Sequence, residues 1–169
     1  SSTSTPGSMN QPLQHTSSGI GCPRHLRERE PSAGLCRGRL IIPSKLRDSL
    51  GEHFVITKGM DGCLFLYPEN EWEAFEEKLR TLPLTNRKAR DFKRFFLGSA
   101  VEGEIDKQGR VLISNSLRAY ADLDKEVVLT GVLDKVEIWS KDAWEARTAD
   151  VEENIEDIAS DMEDLGLSI

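Results

Sequence analysis

The feature that most constrains this chain is a phrase that it contains twice. Gly-Arg followed by three aliphatic residues begins at Gly38 and again at Gly109. Two further matches follow in the same order, and they pair residues 54–67 with 127–139 and residues 71–74 with 143–146. Three matches in one order indicate an internal duplication. Because two copies are too few for a solenoid, we expect a pseudo-symmetric pair that buries one shared core.

Each copy predicts the same order of secondary-structure elements. A short aliphatic strand comes first, a short helix follows, and two β-rich strands then flank a turn. A longer helix closes each copy, and Trp72, Phe75 and Leu79 form the inner stripe of the first one. The spacing of apolar residues from Trp144 to Leu165 also predicts a packing seam along one acidic terminal helix.

Charge is unevenly distributed along the chain. The net charge of −7 argues against a polyanionic partner, yet residues 78–94 carry seven basic groups and one acidic group. Residues 150–169 carry eight acidic groups and no basic one. Because local field rather than total charge steers a polyanion, a basic face for nucleic acid is compatible with this composition. The basic run either touches phosphates, pairs with the acidic tail of the same or the next subunit, or is simply solvated.

The sequence holds no pattern typical of an enzyme. The three histidines, which are too scattered for a nucleophile pair or a metal site, are His15, His25 and His53. No glycine-rich phosphate loop is present. We therefore expect no catalytic residue, no metal, no cofactor and no small-molecule substrate.

The same survey gives an expectation about location. No apolar run approaches 18 residues, so we expect no membrane span. We also see no secretory signal. An odd number of cysteines (Cys22, Cys36 and Cys63) without a CxxC pair favours a reducing cytoplasm.

The repeated Gly-Arg is the strongest candidate for a binding site. Gly109 permits a tight turn, and Arg110 then stands at the mouth of a strand. Asp106, four residues earlier, can accept a bidentate hydrogen bond from the guanidinium group and fix it. A fixed Arg suits guanine O6 and N7 in the major groove of DNA. The other interpretation is a structural ion pair that pins the loop, and the sequence leaves both open.

Three stretches carry a resemblance to a known family. "DKQGRVLI" (106–113), "RGRLIIPSKLR" (37–47) and "RDFKRFFLGSA" (90–100), in this tandem arrangement, resemble the MraZ family of bacterial regulators of the division and cell-wall gene cluster. The resemblance covers about residues 36–160. It implies an α+β fold, a pseudo-twofold swapped-hairpin (AbrB-like) β-barrel built from two tandem repeats with peripheral helices.

The resemblance also implies a function. It predicts a sequence-specific transcription regulator that binds double-stranded DNA at short direct repeats upstream of its own operon. It further predicts a ring-shaped homo-oligomer in the cytoplasm, associated with the nucleoid. The alternative is a ring-forming structural or interaction module without specific DNA readout.

With the resemblance, the chain divides into five segments. We expect a disordered or cloning-derived arm, a first SpoVT-AbrB-like repeat with an altered start, inter-repeat helices, a second repeat and an acidic C-terminal helix. Their bounds are 1–34, 29–71, 72–99, 100–143 and 144–169.

The resemblance assigns DNA binding to both copies of the motif. The residues are Arg110, Asp106, Lys107 and Gly109 in the second copy, and Arg39, Arg37 and Gly38 in the first. The first copy departs from the family pattern, because Leu35 stands where the pattern has Asp, and residues 28–34 replace a strand rich in Gly, Glu and Tyr. The sequence leaves open whether the first strand and first Arg loop form. If the strand folds, Leu35→Asp is expected to strengthen DNA binding.

Overall fold

The computed structural model describes residues 29–167, with side chains from residue 34 onwards. The first copy contains β1 (Arg29–Cys36), β2 (Arg39–Ile41), α1 (Ser44–Leu50), β3 (His53–Lys58), β4 (Leu64–Pro68) and α2 (Glu69–Arg80). After α3 (Arg87–Ser99), the second contains β5 (Val101–Glu104), β6 (Arg110–Leu112), α4 (Asn115–Tyr120), β7 (Glu126–Gly131), β8 (Val136–Ser140) and α5 (Lys141–Glu153). The last described helix is α6 (Ile155–Asp164).

The eight described strands form one antiparallel sheet that nearly closes into a barrel. Their order is β5-β3-β4-β8-β7-β1-β2-β6, and a bridge between Ile105 and Val111 brings β6 back to the end of β5. The first strand of each copy pairs with the third strand of the other, β1 with β7 and β5 with β3. The predicted swapped-hairpin barrel with peripheral helices is therefore confirmed.

The pseudo-twofold axis passes through two strand pairs. β2 pairs with its counterpart β6 so that Leu40 faces Val111, and β4 pairs with its counterpart β8 so that Phe65 faces Glu137. In each case the facing residues occupy equivalent positions in the two copies. The duplicated sequence therefore produces a duplicated geometry.

The barrel interior is filled by equivalent residues from both copies. Its sixteen buried side chains form eight pairs: Leu40 and Val111, Ile42 and Ile113, Leu46 and Leu117, Leu50 and Ala121, Phe54 and Val127, Ile56 and Leu129, Leu64 and Val136, Leu66 and Ile138. Full burial of one aliphatic side chain contributes about 1.5–3 kcal/mol. Because neither copy encloses this core alone, the two copies stabilise each other, as the duplication predicts.

The first strand forms despite its altered sequence. Residues 29–34 fall both in the predicted arm and in the predicted first repeat. The structure places them in β1, which pairs with β7, and a β-bulge interrupts this pairing between Glu30 and Ala33. These residues belong to the barrel, so the prediction that they are disordered is wrong. Backbone pairing needs no particular side chains, which is why a substituted segment can complete the sheet. Residues 1–28 of the predicted arm lie outside the described residues.

A second apolar cluster covers one outer face of the barrel. α2 and α3 pack on β3 and β4. As predicted, Trp72 and Leu79 are buried in this cluster, and Phe75 packs against it. Among the described residues, no helix is long and apolar enough to cross a membrane.

The acidic C-terminal segment is not the single helix that the sequence predicts. α5 ends at Glu153 and α6 begins at Ile155, because Asn154 leaves the helical conformation at φ −109° and ψ 14°. The Asn154 side-chain amide donates to the Asp150 carbonyl oxygen at 2.9 Å. Asn is prone to such local bonds, which compete with helix continuation. The predicted seam is therefore divided between two helices.

Candidate nucleic-acid interface

The first Gly-Arg motif forms a two-residue hairpin turn. Cys36 pairs with Arg39 across the turn, and the two residues between them, Arg37 and Gly38, have φ values of 53° and 77°. Two successive positive φ values are those of the type I′ turn that matches the twist of a hairpin. A positive φ is uncommon for a residue with a side chain, so Arg37 is held there by the pairing on either side.

The second motif forms a longer turn. The Asp106 N–H donates to the Arg110 carbonyl oxygen at 2.9 Å, and the Gly109 N–H donates to the Asp106 carbonyl oxygen at 3.0 Å. Gly109 has a φ of 75°. Three residues therefore separate Asp106 from Arg110, whereas two separate Cys36 from Arg39. Although the two motifs align in sequence, their turns differ by one residue.

The Asp106 carboxylate organises the second turn. Its Oδ1 accepts from the backbone N–H groups of Gln108 and Arg110 at 2.8 and 2.9 Å, and its Oδ2 accepts from Arg110 Nε at 3.0 Å. The Arg110 backbone N–H, helped by the Gln108 N–H and the Arg110 guanidinium, lowers the pKa of this carboxyl group below its ordinary value. The carboxylate is therefore ionised at neutral pH.

The contact between Asp106 and the Arg110 side chain differs from the predicted bidentate pair. One guanidinium nitrogen, Nε, donates to the carboxylate, and the remaining carboxylate bonds come from the backbone. Within the described part of the chain, the two terminal nitrogens of Arg110 have no hydrogen-bond partner. The arginine is thus held at Nε while its outer edge can still donate two parallel hydrogen bonds.

The carboxylate of the second copy also faces the arginine of the first. Arg39 Nη1 lies 3.9 Å from Asp106 Oδ2, and both side chains are partly exposed. This distance is that of an ion pair rather than a hydrogen bond. Asp106 therefore attracts Arg39 while it fixes Arg110, and both arginines lie near the same carboxylate oxygen.

Both arginines lie on the outer face of the β2–β6 ribbon. Leu40 and Val111 point into the core, so their neighbours on the two strands point outward. Arg39 stands opposite Leu112, and Ile41 stands opposite Arg110. Ile41 is 52 % exposed and Leu112 is 66 % exposed, which is unusual for aliphatic side chains of a strand. We name the four outward residues of this ribbon, Arg39, Ile41, Arg110 and Leu112, the ribbon face.

Two further arginines pack closely against the glycine turns of the opposite copy. A Cβ atom on Gly109 would lie 2.7 Å from Arg47 Nη1, and one on Gly38 would lie 3.2 Å from Arg118 Cζ. Backbone bonds follow the same crossed pattern, since the Ile42 N–H donates to Gly109 and the Ile113 N–H donates to Gly38. A side chain at either position would therefore be strained for two reasons: the backbone φ is positive, and the Cβ atom would lie too close to the arginine of the other copy.

Sequence reasoning missed these two crossing arginines and the aliphatic part of the ribbon face. Leu-Arg follows each Gly-Arg motif at the same distance (Leu46-Arg47 and Leu117-Arg118), so a signal for the arginines existed. Their contacts with the other copy are long-range, however, and depend on the strand exchange.

The predicted site residues are only partly brought together. Arg110, Arg39 and Asp106 meet at one carboxylate oxygen, and Gly38 and Gly109 form the turns beside them. Arg37 and Lys107 are exposed at the two tips, and among the described residues neither side chain forms a hydrogen bond or an ion pair with Asp106. In the part of the chain that the structure describes, no group of His, Cys, Asp and Glu could hold a metal ion.

Comparison with known proteins identifies the family. The family pattern described as MraZ protein, antitoxin-like, matches twice, at residues 36–95 and 96–165. The chain is 54 % identical over 132 residues to "Transcriptional regulator MraZ" of Lachnoclostridium phytofermentans, covering 78 % of this chain and 91 % of the relative. It is 51 % identical over 129 residues to the protein of that name from Desulforamulus reducens, covering 76 % and 91 %.

A third relative agrees with the first two. The protein of the same name from Ligilactobacillus salivarius is 54 % identical over 131 residues, which covers 78 % of this chain and 92 % of the relative. The family consists of transcriptional regulators, so the prediction that the chain is not an enzyme is confirmed. The duplicated sequence, the swapped-hairpin barrel and the two tandem family matches lead to one conclusion: the chain belongs to the MraZ family.

Proposed function

We propose that this protein is a sequence-specific, DNA-binding transcription regulator that recognises short direct repeats upstream of its own division and cell-wall operon. It acts as a ring-shaped homo-oligomer in the cytoplasm, at the nucleoid. The observation that carries this proposal is the ribbon face, whose Arg110 is bonded to Asp106 at 3.0 Å and whose Arg39, from the other copy, lies 3.9 Å from the same carboxylate. The names of its relatives support the same function.

The shape of the ribbon supports binding in the major groove, which admits a two-stranded β-ribbon. The free terminal nitrogens of Arg110 suit guanine O6 and N7, the commonest specific contact in this groove. Asp106 makes no base contact in this account. It orients Arg110 through Nε and thereby reduces the side-chain entropy that binding would otherwise remove.

The other ribbon residues have complementary tasks. Ile41 and Leu112 offer exposed methyl groups that can contact the C5-methyl of thymine. Arg37 and Lys107, at the tips, reach towards phosphates and contribute affinity without sequence information. Arg39, which pairs more loosely with Asp106, contacts either a base or a phosphate.

One ribbon covers too few base pairs to select a promoter among the competing sites of a genome. Several copies along direct repeats would bind together, and each additional contact would then benefit from a high effective concentration. This is why the proposal includes both an oligomer and repeated sites.

The test is a titration of the promoter duplex and a scrambled duplex at several salt concentrations. We expect the preference for the promoter to persist when salt weakens the phosphate contacts. Arg110→Ala should lose about 1–3 kcal/mol of that preference, the range for one bidentate base contact. Arg80→Ala, which removes an exposed arginine at the end of α2, is the matched control. Equal binding of both duplexes by the wild-type protein would instead favour an interaction module without specific readout.

A further inference from the structure

The C-terminal helix α6 presents an apolar surface to solvent. Ile155, Ile158, Met162 and Leu165 follow one another at spacings of three and four residues, so they share one side. Ile155 is 51 % exposed and Leu165 is 79 % exposed. We name these four residues the α6 stripe. The acids that flank it are Glu156, Asp157, Asp161, Glu163 and Asp164.

A surface of opposite character lies on α3. Arg90, Lys93, Arg94 and Leu97 share one side of this helix, away from the buried Phe96. Leu97 is 45 % exposed among these three basic residues. We name this side the α3 face.

The segment before α3 extends this face. Arg90 Nη1 donates to the Leu84 carbonyl oxygen at 2.7 Å, and Lys93 Nζ donates to the Leu82 carbonyl oxygen at 3.1 Å. These bonds hold Leu84, which is 75 % exposed, beside Arg90. The α3 face therefore combines two exposed leucines with a basic border, whereas the α6 stripe combines exposed aliphatic residues with an acidic border.

The two surfaces do not meet within one chain. α6 directly follows α5, which lies on β7 and β8, whereas α3 lies on β3. Across the described residues, no hydrogen bond or ion pair joins α6 to α3. Each surface thus keeps leucine or isoleucine side chains that residues 29–167 leave exposed.

We propose that the α6 stripe of one copy packs on the α3 face of a second copy. An apolar centre with a charged border of opposite sign is the usual anatomy of a specific protein interface. Both surfaces belong to the same chain, so they are always present in equal numbers. This proposal rests on the homo-oligomer proposed above and names the surfaces that assemble it.

The geometry of such a contact has a further consequence. Because the two surfaces are different parts of the chain, the interface is heterologous. An open assembly of any number of copies therefore has a free α6 stripe at one end and a free α3 face at the other. Heterologous contacts continue until they close into a ring or extend into a filament. A ring follows if the rotation between neighbours closes.

The test uses two single substitutions at exposed positions. Ile155→Asp breaks the α6 stripe, and Leu97→Asp breaks the α3 face. Met60→Asp is the matched control, because Met60 is 54 % exposed and lies on neither surface. The readout is the mass in solution by light scattering at one protein concentration, without DNA.

We expect each of the two variants to fall to the 18.9 kDa monomer, while Met60→Asp keeps the wild-type assembly. An equimolar mixture of the two variants should form a dimer and nothing larger, because only one intact surface of each kind remains. The proposal is overturned if either variant keeps the wild-type mass, or if the mixture stays monomeric. A monomeric wild-type protein would overturn the proposed homo-oligomer itself, whereas loss of promoter preference in an intact assembly would overturn only the proposed DNA readout.

Discussion

The substitution Gly109→Ala tests whether Arg47 of the first copy packs directly against the Gly109 turn of the second copy. Gly62 offers a matched control, because Gly62 and Gly109 have φ values of 76° and 75°, but a Cβ on Gly62 would meet no atom within 4 Å. A left-handed residue with a side chain costs roughly 1–2 kcal/mol. Gly→Ala also stabilises by about 0.4–1 kcal/mol through the unfolded chain. The net cost of Gly62→Ala is therefore about 1 kcal/mol.

Gly109→Ala carries an additional cost because its Cβ would lie 2.7 Å from Arg47 Nη1. Arg47 must leave its rotamer, which costs about 0.5–1.5 kcal/mol. We therefore expect Gly109→Ala to cost about 1.5–2.5 kcal/mol in total. Gly38→Ala, where the corresponding contact with Arg118 Cζ is 3.2 Å, should fall between the other two variants.

The assay is urea denaturation of all three variants at one protein concentration, since oligomerisation makes stability depend on concentration. With an m-value of about 2 kcal/mol/M, a difference of 1 kcal/mol moves the midpoint by about 0.5 M. In an Arg47→Ala background the additional cost at Gly109 should disappear, so that Gly109→Ala then costs no more than Gly62→Ala. Equal midpoints for Gly109→Ala and Gly62→Ala in the wild-type background would refute the reasoning.

Three other predictions follow from the site and the core. Leu35 packs against the core opposite Leu40, so we expect Leu35→Asp to destabilise the fold. Cys36 lies opposite Arg39, so Cys36→Asp should leave the melting temperature unchanged and strengthen promoter binding. Tighter promoter binding by Leu35→Asp would contradict the observed pairing of β1 with β2. Burial raises the pKa of the Cys63 thiol from 9.0 to about 12, so its contribution to stability should be complete below pH 9 and decline as pH rises towards 12. Because burial also raises the pKa of Tyr67, a Cys63→Ala variant should lose less stability than the wild type over this range, and equal losses would contradict the assignment to Cys63. Asp106→Asn should weaken promoter binding by less than Arg110→Ala; if it lowers the melting temperature while folded protein binds normally, the ion pair is structural.

The duplication allowed much of the barrel to be predicted, and the reason is visible in the core. Strands of alternating apolar residues and matching helices appear in both copies, so the pairs such as Leu40 with Val111 could be expected from sequence alone. The repeated Gly-Arg likewise pointed to Arg39 and Arg110, because a turn glycine before a strand is a local feature.

What could not be predicted depends on contacts between distant parts of the chain. The reach of Arg47 to Gly109 exists only because the copies exchange strands. The formation of β1 depends on pairing with β7 rather than on its own residues. The one-residue difference between the turns, which turns Leu35 towards the core, is likewise set by strand register, and a shift of one residue reverses the face of every side chain.

The most direct test of the central claim is a double-mutant cycle between Arg110 and the guanines of the promoter. Each guanine in one direct repeat is replaced in turn by 7-deazaguanine, which lacks the N7 acceptor, and binding is measured with wild-type protein and with Arg110→Ala. We predict that one replacement weakens wild-type binding by at least threefold and leaves the binding of Arg110→Ala unchanged. If each replacement weakens promoter binding by the wild-type protein and by Arg110→Ala equally, or if no replacement weakens the binding of either protein, then Arg110 does not contact a guanine N7 and the proposed role of the ribbon face is wrong.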